Sequence, residues 1–139
     1  MKTAFVIFDR MTALDLIGVY DPLTRLKSMN FVPEFNWQMC AFTEEVSDDR
    51  GLRFVPDTVA ESLGAYDIIV VPGGFGTRAL QHDKAFTQWF TFGCPGEIKD
   101  VCLHRGASFG FGRIPGGKTR HNASNRLRGI EALLRYRSR

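Results

Sequence analysis

Apolar residues in this chain come in short blocks separated by polar and glycine-containing stretches, the pattern of buried strands linked by amphipathic helices. Lys2–Phe8 is rich in β-branched and aromatic residues and stops at Asp9-Arg10, which predicts a buried parallel strand. Asn36–Phe42 is a second strand candidate, with Cys40 inside it as a buried core thiol. Tyr66–Gly76 carries four β-branched residues, Ile68 to Val71, ahead of Pro72-Gly73-Gly74-Phe75-Gly76. That predicts a central strand ended by proline. Ile98–Cys102 is a further short apolar run, and it closes on a cysteine.

Helical spacing fills the gaps. Leu16, Tyr20, Leu23 and Leu26 recur at the helical period, and Asp21-Pro22 reads as an N-cap followed by proline in the first turn. A helix is therefore expected over Asp21–Ser28, with a loop or short turn around Asp15. Thr58–Leu63 reads as a short helical link. Ser47-Asp48-Asp49-Arg50-Gly51-Leu52 reads as a turn between short strand pieces. Leu80–Phe92 predicts a helix with Asp83 as its cap and Phe86, Trp89 and Phe90 on one face as core aromatics; Gly93-Cys94-Pro95-Gly96 ends it. The order of strands and helices is that of an α/β protein with an open, helix-flanked sheet.

The 139 residues, 44% hydrophobic and 24% charged, suit one globular domain with its own core. Three cysteines, Cys40, Cys94 and Cys102, are too sparse for a disulfide scaffold and suit a reducing compartment. The N-terminal apolar run is too short for a signal peptide, and no segment is long enough to span a membrane. A cytoplasmic location is expected. The net charge of +3 is unevenly placed: residues 103–139 hold nine of the 18 basic groups and one of the 15 acids, so they carry +8 and residues 1–102 carry −5. A basic tail suggests nucleic acid, but this one lacks a helix-turn-helix pattern and has little aromatic interleaving. Nucleic acid is not expected as a partner.

Candidate chemistry sits at the ends of the apolar runs. A strand that delivers Cys102 at its C-terminal edge is one way to expose a nucleophile over a parallel sheet. Gly73 and Gly74 let the backbone turn sharply, and successive free N–H groups in such a loop form an anion or oxyanion nest. The loop has neither the lysine of a phosphate-binding loop nor the spacing of a dinucleotide fingerprint. Asp15 reads either as a helix cap or as a site acid. His82 reads as a surface residue; His104 and His121 are not expected to be catalytic. Nothing in the pattern calls for a metal or a cofactor.

Three ordered segments carry a resemblance. Leu14-Asp15-Leu16-Ile17-Gly18, the stretch from Tyr66 through Gly76 with Thr77-Arg78, and Val101-Cys102 resemble the ThiJ/PfpI family of the class I glutamine amidotransferase-like superfamily, in its isonitrile hydratase-like branch. The resemblance covers residues 2–102. It implies a flavodoxin-like parallel sheet with flanking helices, incomplete at the C-terminal end, and a homodimer acting on a small-molecule substrate. Cys102 would be the nucleophile at an elbow, and Asp15 the acid that shares a proton with the thiol or activates water. Gly73 and Gly74 would border the anion-stabilising pocket, and the implied reaction is hydration of an isonitrile to an N-substituted formamide. The alternatives are an inactive truncated relative, or an effector-sensing domain of a transcription regulator.

The resemblance stops at Leu103. Where the family continues Thr-Gly into a long Ala/Leu/Gly-rich helix, this chain reads Leu103-His104-Arg105-Gly106-Ala107-Ser108-Phe109-Gly110, with no apolar helical face. Val19 also stands where the family has proline. One choice of synonymous codons, read one nucleotide out of register from the second base of the His104 codon, gives Thr-Gly-Ala-Leu-Leu-Leu-Gly-Leu-Ala-Gly-Tyr-Leu-Glu-Gly-Lys-Arg-Asp-Thr-Thr-His. The expectation is a change of reading frame near Cys102, with 1–102 as the N-terminal part of the domain and 103–139 as a basic tail, out of frame or poorly ordered. Leu127–Arg137 could form a short basic amphipathic helix.

Overall fold

The computed structural model describes residues 1–92 and, as backbone, the strand at 100–103. The elements in chain order are β1 (Lys2–Val6), α1 (Ala13–Ser28), β2 (Asn36–Ala41), β3 (Val46–Ser47), β4 (Arg53–Phe54), β5 (Thr58–Val59), a 3-10 turn (Leu63–Ala65), β6 (Ile68–Val71), α2 (Thr77–Leu80), α3 (Lys84–Phe92) and β7 (Asp100–Leu103). Five strands form one sheet in the order β5-β2-β1-β6-β7, and every pairing in it is parallel. β3 and β4 form a separate antiparallel hairpin. This is the expected flavodoxin-like α/β sheet. β1 lies at its centre, and Ala4 to Ile7 are fully buried, as a strand covered on both faces requires.

Helices pack on both faces. Phe5 and Trp37 meet Tyr20 of α1 edge-on, with ring centroids 5.3 and 6.1 Å away. Phe42 differs from Trp37 by an odd number of positions and so lies over the other face. There it meets Phe86 at 6.2 Å and Trp89 at 5.7 Å. The aromatics of α3 are core, as their spacing predicts. Buried Cys40 donates its S–H to the Tyr66 hydroxyl at 3.3 Å, which in turn donates to Gln38 Oε1 at 2.7 Å.

Three expectations change. α1 begins at Ala13 and not at Asp21, so Asp15 lies in its first turn and Pro22 lies inside it. Proline within a helix costs about 3 kcal/mol. Burial of Leu16 with partial burial of Val19, Tyr20 and Leu23, at roughly 1.5–3 kcal/mol for a fully buried side chain, outweighs that cost. Thr58–Leu63 holds a strand, β5, because Cys40 and Ala41 offer their free edge to Thr58 and Val59. The helix expected over Leu80–Phe92 is broken at Gln81–Asp83 into α2 and α3. Asp83 does cap the second piece, its Oδ1 accepting from the Phe86 N–H at 3.0 Å. Cys94, His104, His121 and Leu127–Arg137 lie outside the described residues.

Candidate active site

The C-terminal edge of a parallel sheet collects the loops that follow each strand, and the sequence-selected residues gather there. The stretch Asp9–Thr12 leaves β1 and runs beside the loop after β6. Met11 is fully buried and bridges Gly74 in antiparallel sense. The Thr12 N–H donates to the Gly73 carbonyl at 2.8 Å, and the Gly76 N–H donates to the Arg10 carbonyl at 3.0 Å. Thr12 then opens α1, its carbonyl accepting from the Asp15 N–H at 3.0 Å. Half-buried Asp15 is thus one helical turn from the point where the glycine loop is fastened.

Glycine is required at two positions of that loop for different reasons. Gly74 has φ +141°, which an L side chain rarely adopts, and a Cβ there would stand 2.6 Å from Met11 Cα and the Thr12 nitrogen. Gly76 has ordinary helical angles, but a Cβ would collide with the Asp9 carbonyl oxygen. Among the described residues, the amides of Gly73 and Gly74 donate no backbone hydrogen bond. The loop is therefore docked tightly on the β1–α1 segment.

Cys102 is placed by its backbone. It pairs with Val70 in the parallel register of β6 and β7, and Leu103 pairs with Val71; Val70 in turn pairs with Phe5. The strand runs one residue past Cys102, so the cysteine is the penultimate residue of β7, not its last. β7 brings it to the same end of the sheet as Asp15 and Gly73-Gly74. His82 is exposed, as its position before the Asp83 cap suggests. Among the described residues no cluster of three or more His, Cys, Asp and Glu is arranged to hold a metal ion, and no helix is long and apolar enough to cross a membrane.

Sequence reading singled out Gly73 and Gly74 but passed over Gly76 and Asp48. Asp48, 8% exposed, accepts from the N–H groups of Arg50 at 2.9 Å and Leu52 at 2.8 Å. An Asp opening a turn that ends in glycine is the available signal for this arrangement.

Solved structures share this fold. A ThiJ/PfpI family protein from Pseudomonas syringae superposes with a TM-score of 0.58 at 20% identity, over 73% of this chain and 40% of that one. DJ-1beta from Drosophila melanogaster gives 0.57 at 17% identity, over 76% and 55%. In sequence, an isonitrile hydratase from Pseudomonas putida is 31% identical over 84 residues, 60% of this chain. In fold the chain is similar to these ThiJ/PfpI and DJ-1 proteins. The matched region is 35% of the length of the curated hydratase, so the chain spans about a third of that relative. No family model matches the sequence. The likeness to these proteins fits the three motifs, which fall at one end of the sheet.

Proposed function

We propose that this chain derives from a cysteine-dependent ThiJ/PfpI hydratase of small carbon electrophiles, with an isonitrile as first substrate class. The observation that carries the reading is the convergence of Asp15, the Gly73-Gly74 amides and the Cys102 backbone at one sheet edge. The Cys102 thiol adds across the terminal isonitrile carbon, sulfur and hydrogen both going to carbon, to give a thioimidate. Water then adds to that carbon, the C–S bond breaks, sulfur regains its proton, and the N-substituted formamide leaves. Asp15 moves the proton in both halves, and the loop amides face the charge that develops. The reading includes a homodimer and a cytoplasmic location, as the family resemblance implies. The test is formamide production from a small isonitrile with wild type and with Cys102→Ala and Asp15→Asn. Turnover lost in Cys102→Ala supports the reading, and turnover equal in all three overturns it.

A second reading, an inactive truncated relative, is favoured by the sequence after Leu103. β7 is a parallel strand, and a parallel strand needs a crossover of a dozen or more residues, usually helical, to rejoin the sheet. In frame, His104–Gly117 has no apolar helical face. The offset frame offers Thr-Gly as a helix start and Ala-Leu-Leu-Leu-Gly-Leu-Ala as its apolar face. On this reading the chain as translated shows little turnover, and a frame-corrected chain shows turnover that Cys102→Ala abolishes. A corrected chain that is equally inactive contradicts it.

A further inference from the structure

The Asp9–Thr12 segment is gripped on two sides, and only the glycine loop belongs to the candidate site. The other grip is the β3–β4 hairpin. The Arg10 N–H donates to the Ser47 carbonyl at 2.8 Å, and the Asp49 N–H donates to the Met11 carbonyl at 3.3 Å. The Ser47 N–H donates to Asp9 Oδ1 at 2.9 Å, and Met11 bridges Asp48 in parallel sense. Arg10 holds a left-handed φ of +60° between these grips, a conformation that persists where the surroundings over-determine it. Thr12 makes no side-chain cap bond, so the start of α1 is fixed by this backbone clamp instead. The hairpin is closed by the Asp48 carboxylate, which accepts from Arg50 and Leu52, and by the Asp48 N–H, which donates to the Leu52 carbonyl at 2.9 Å.

We propose that the β3–β4 hairpin, pinned by Asp48, is a positioning element that holds Asp15 in register with the Gly73-Gly74 loop. Asp48 acts through the backbone and touches no reacting atom. The proposal rests on the reading of Asp15 as the acid beside Cys102, and the two fail differently. The experiment is the alkylation rate of Cys102 in the full chain, resolved from Cys40 and Cys94 by peptide mass spectrometry, in a double-mutant cycle. Asp15→Asn is expected to change the rate several-fold. Asp48→Ala is expected to change it in the same direction, and Asp48→Asn, which keeps a side-chain carbonyl acceptor, to stay near wild type. In the Asp48→Ala background, Asp15→Asn has little left to change. If Asp15→Asn keeps its full effect in that background, the hairpin proposal is overturned while the acid reading stands. If Asp15→Asn changes nothing in wild type, the acid reading falls and the proposal falls with it. Circular dichroism checks folding. If Asp48→Ala unfolds, exposed Asp9→Ala, which removes only the bond to Ser47, replaces it in the cycle. A smaller change in the same direction supports the proposal, and an unchanged rate overturns it.

Discussion

Gly76 has φ −58° and ψ −28°, angles that alanine accepts readily, so it is the neighbouring atoms, the Asp9 carbonyl first and the Phe8 ring after it, that exclude a side chain there. Gly18 lies inside α1, and no atom comes within 4 Å of the place a Cβ would take. Urea denaturation of Gly76→Ala should show a loss of about 2 kcal/mol or more, and Gly18→Ala a gain of about 1 kcal/mol. Thr3 is fully buried, and among the described residues its hydroxyl has no hydrogen-bond partner. Thr3→Val removes that orphan at nearly the same shape and should stabilise by about 1 kcal/mol in the same assay. Tyr66 gives a pH signature. Burial, then its contact with Cys40, raises its phenol well above the ordinary value, which is about 10. The folded chain therefore keeps the phenol neutral where the unfolded chain ionises it. This contribution is fully present below pH 10 or so and is lost as pH rises from there toward the folded value. Stability of Tyr66→Phe should fall less steeply than wild type across that alkaline range; parallel curves would contradict the assignment.

At the scale of elements, the caps and turns were more legible than the helix boundaries. Asp83 was recognisable as a cap because an Asp precedes an apolar-periodic run, and its Oδ1 does accept from Phe86. Asp83→Ala should cost about 1 kcal/mol, measurable as a shift in the denaturation midpoint. Pro22 misled because local chemistry favours proline in a first turn, whereas Leu16 is buried only if the helix already exists six residues earlier. That is a tertiary effect without a local signal. β5 was likewise hidden: its two residues become a strand only through pairing with Cys40 and Ala41. Strands β1, β2 and β6 were legible because a fully buried parallel strand must read as a continuous apolar run.

For the whole molecule, the fold and the motif positions were readable from sequence, and the clamp that joins them was not. Asp15, Gly73, Gly74 and Cys102 stand out by residue type. The bonds from Ser47 and Asp49 to Asp9–Met11 are mostly backbone, and backbone contacts leave little trace in residue identity beyond the glycines. The sheet carries one further consequence. Among the described residues β7 has a strand, β6, on one side only, and a parallel edge left open next to an apolar core invites association. The chain as translated should therefore aggregate more readily than a frame-corrected chain, as light scattering would report. Nucleotide sequencing through the Cys102 codon tests most directly whether this chain is the first part of a ThiJ/PfpI domain that leaves its frame. The account predicts an offset frame that stays open and encodes Thr-Gly-Ala-Leu-Leu-Leu from the second base of the His104 codon. Stop codons in that frame, or wobble bases that break its apolar helix, would contradict it.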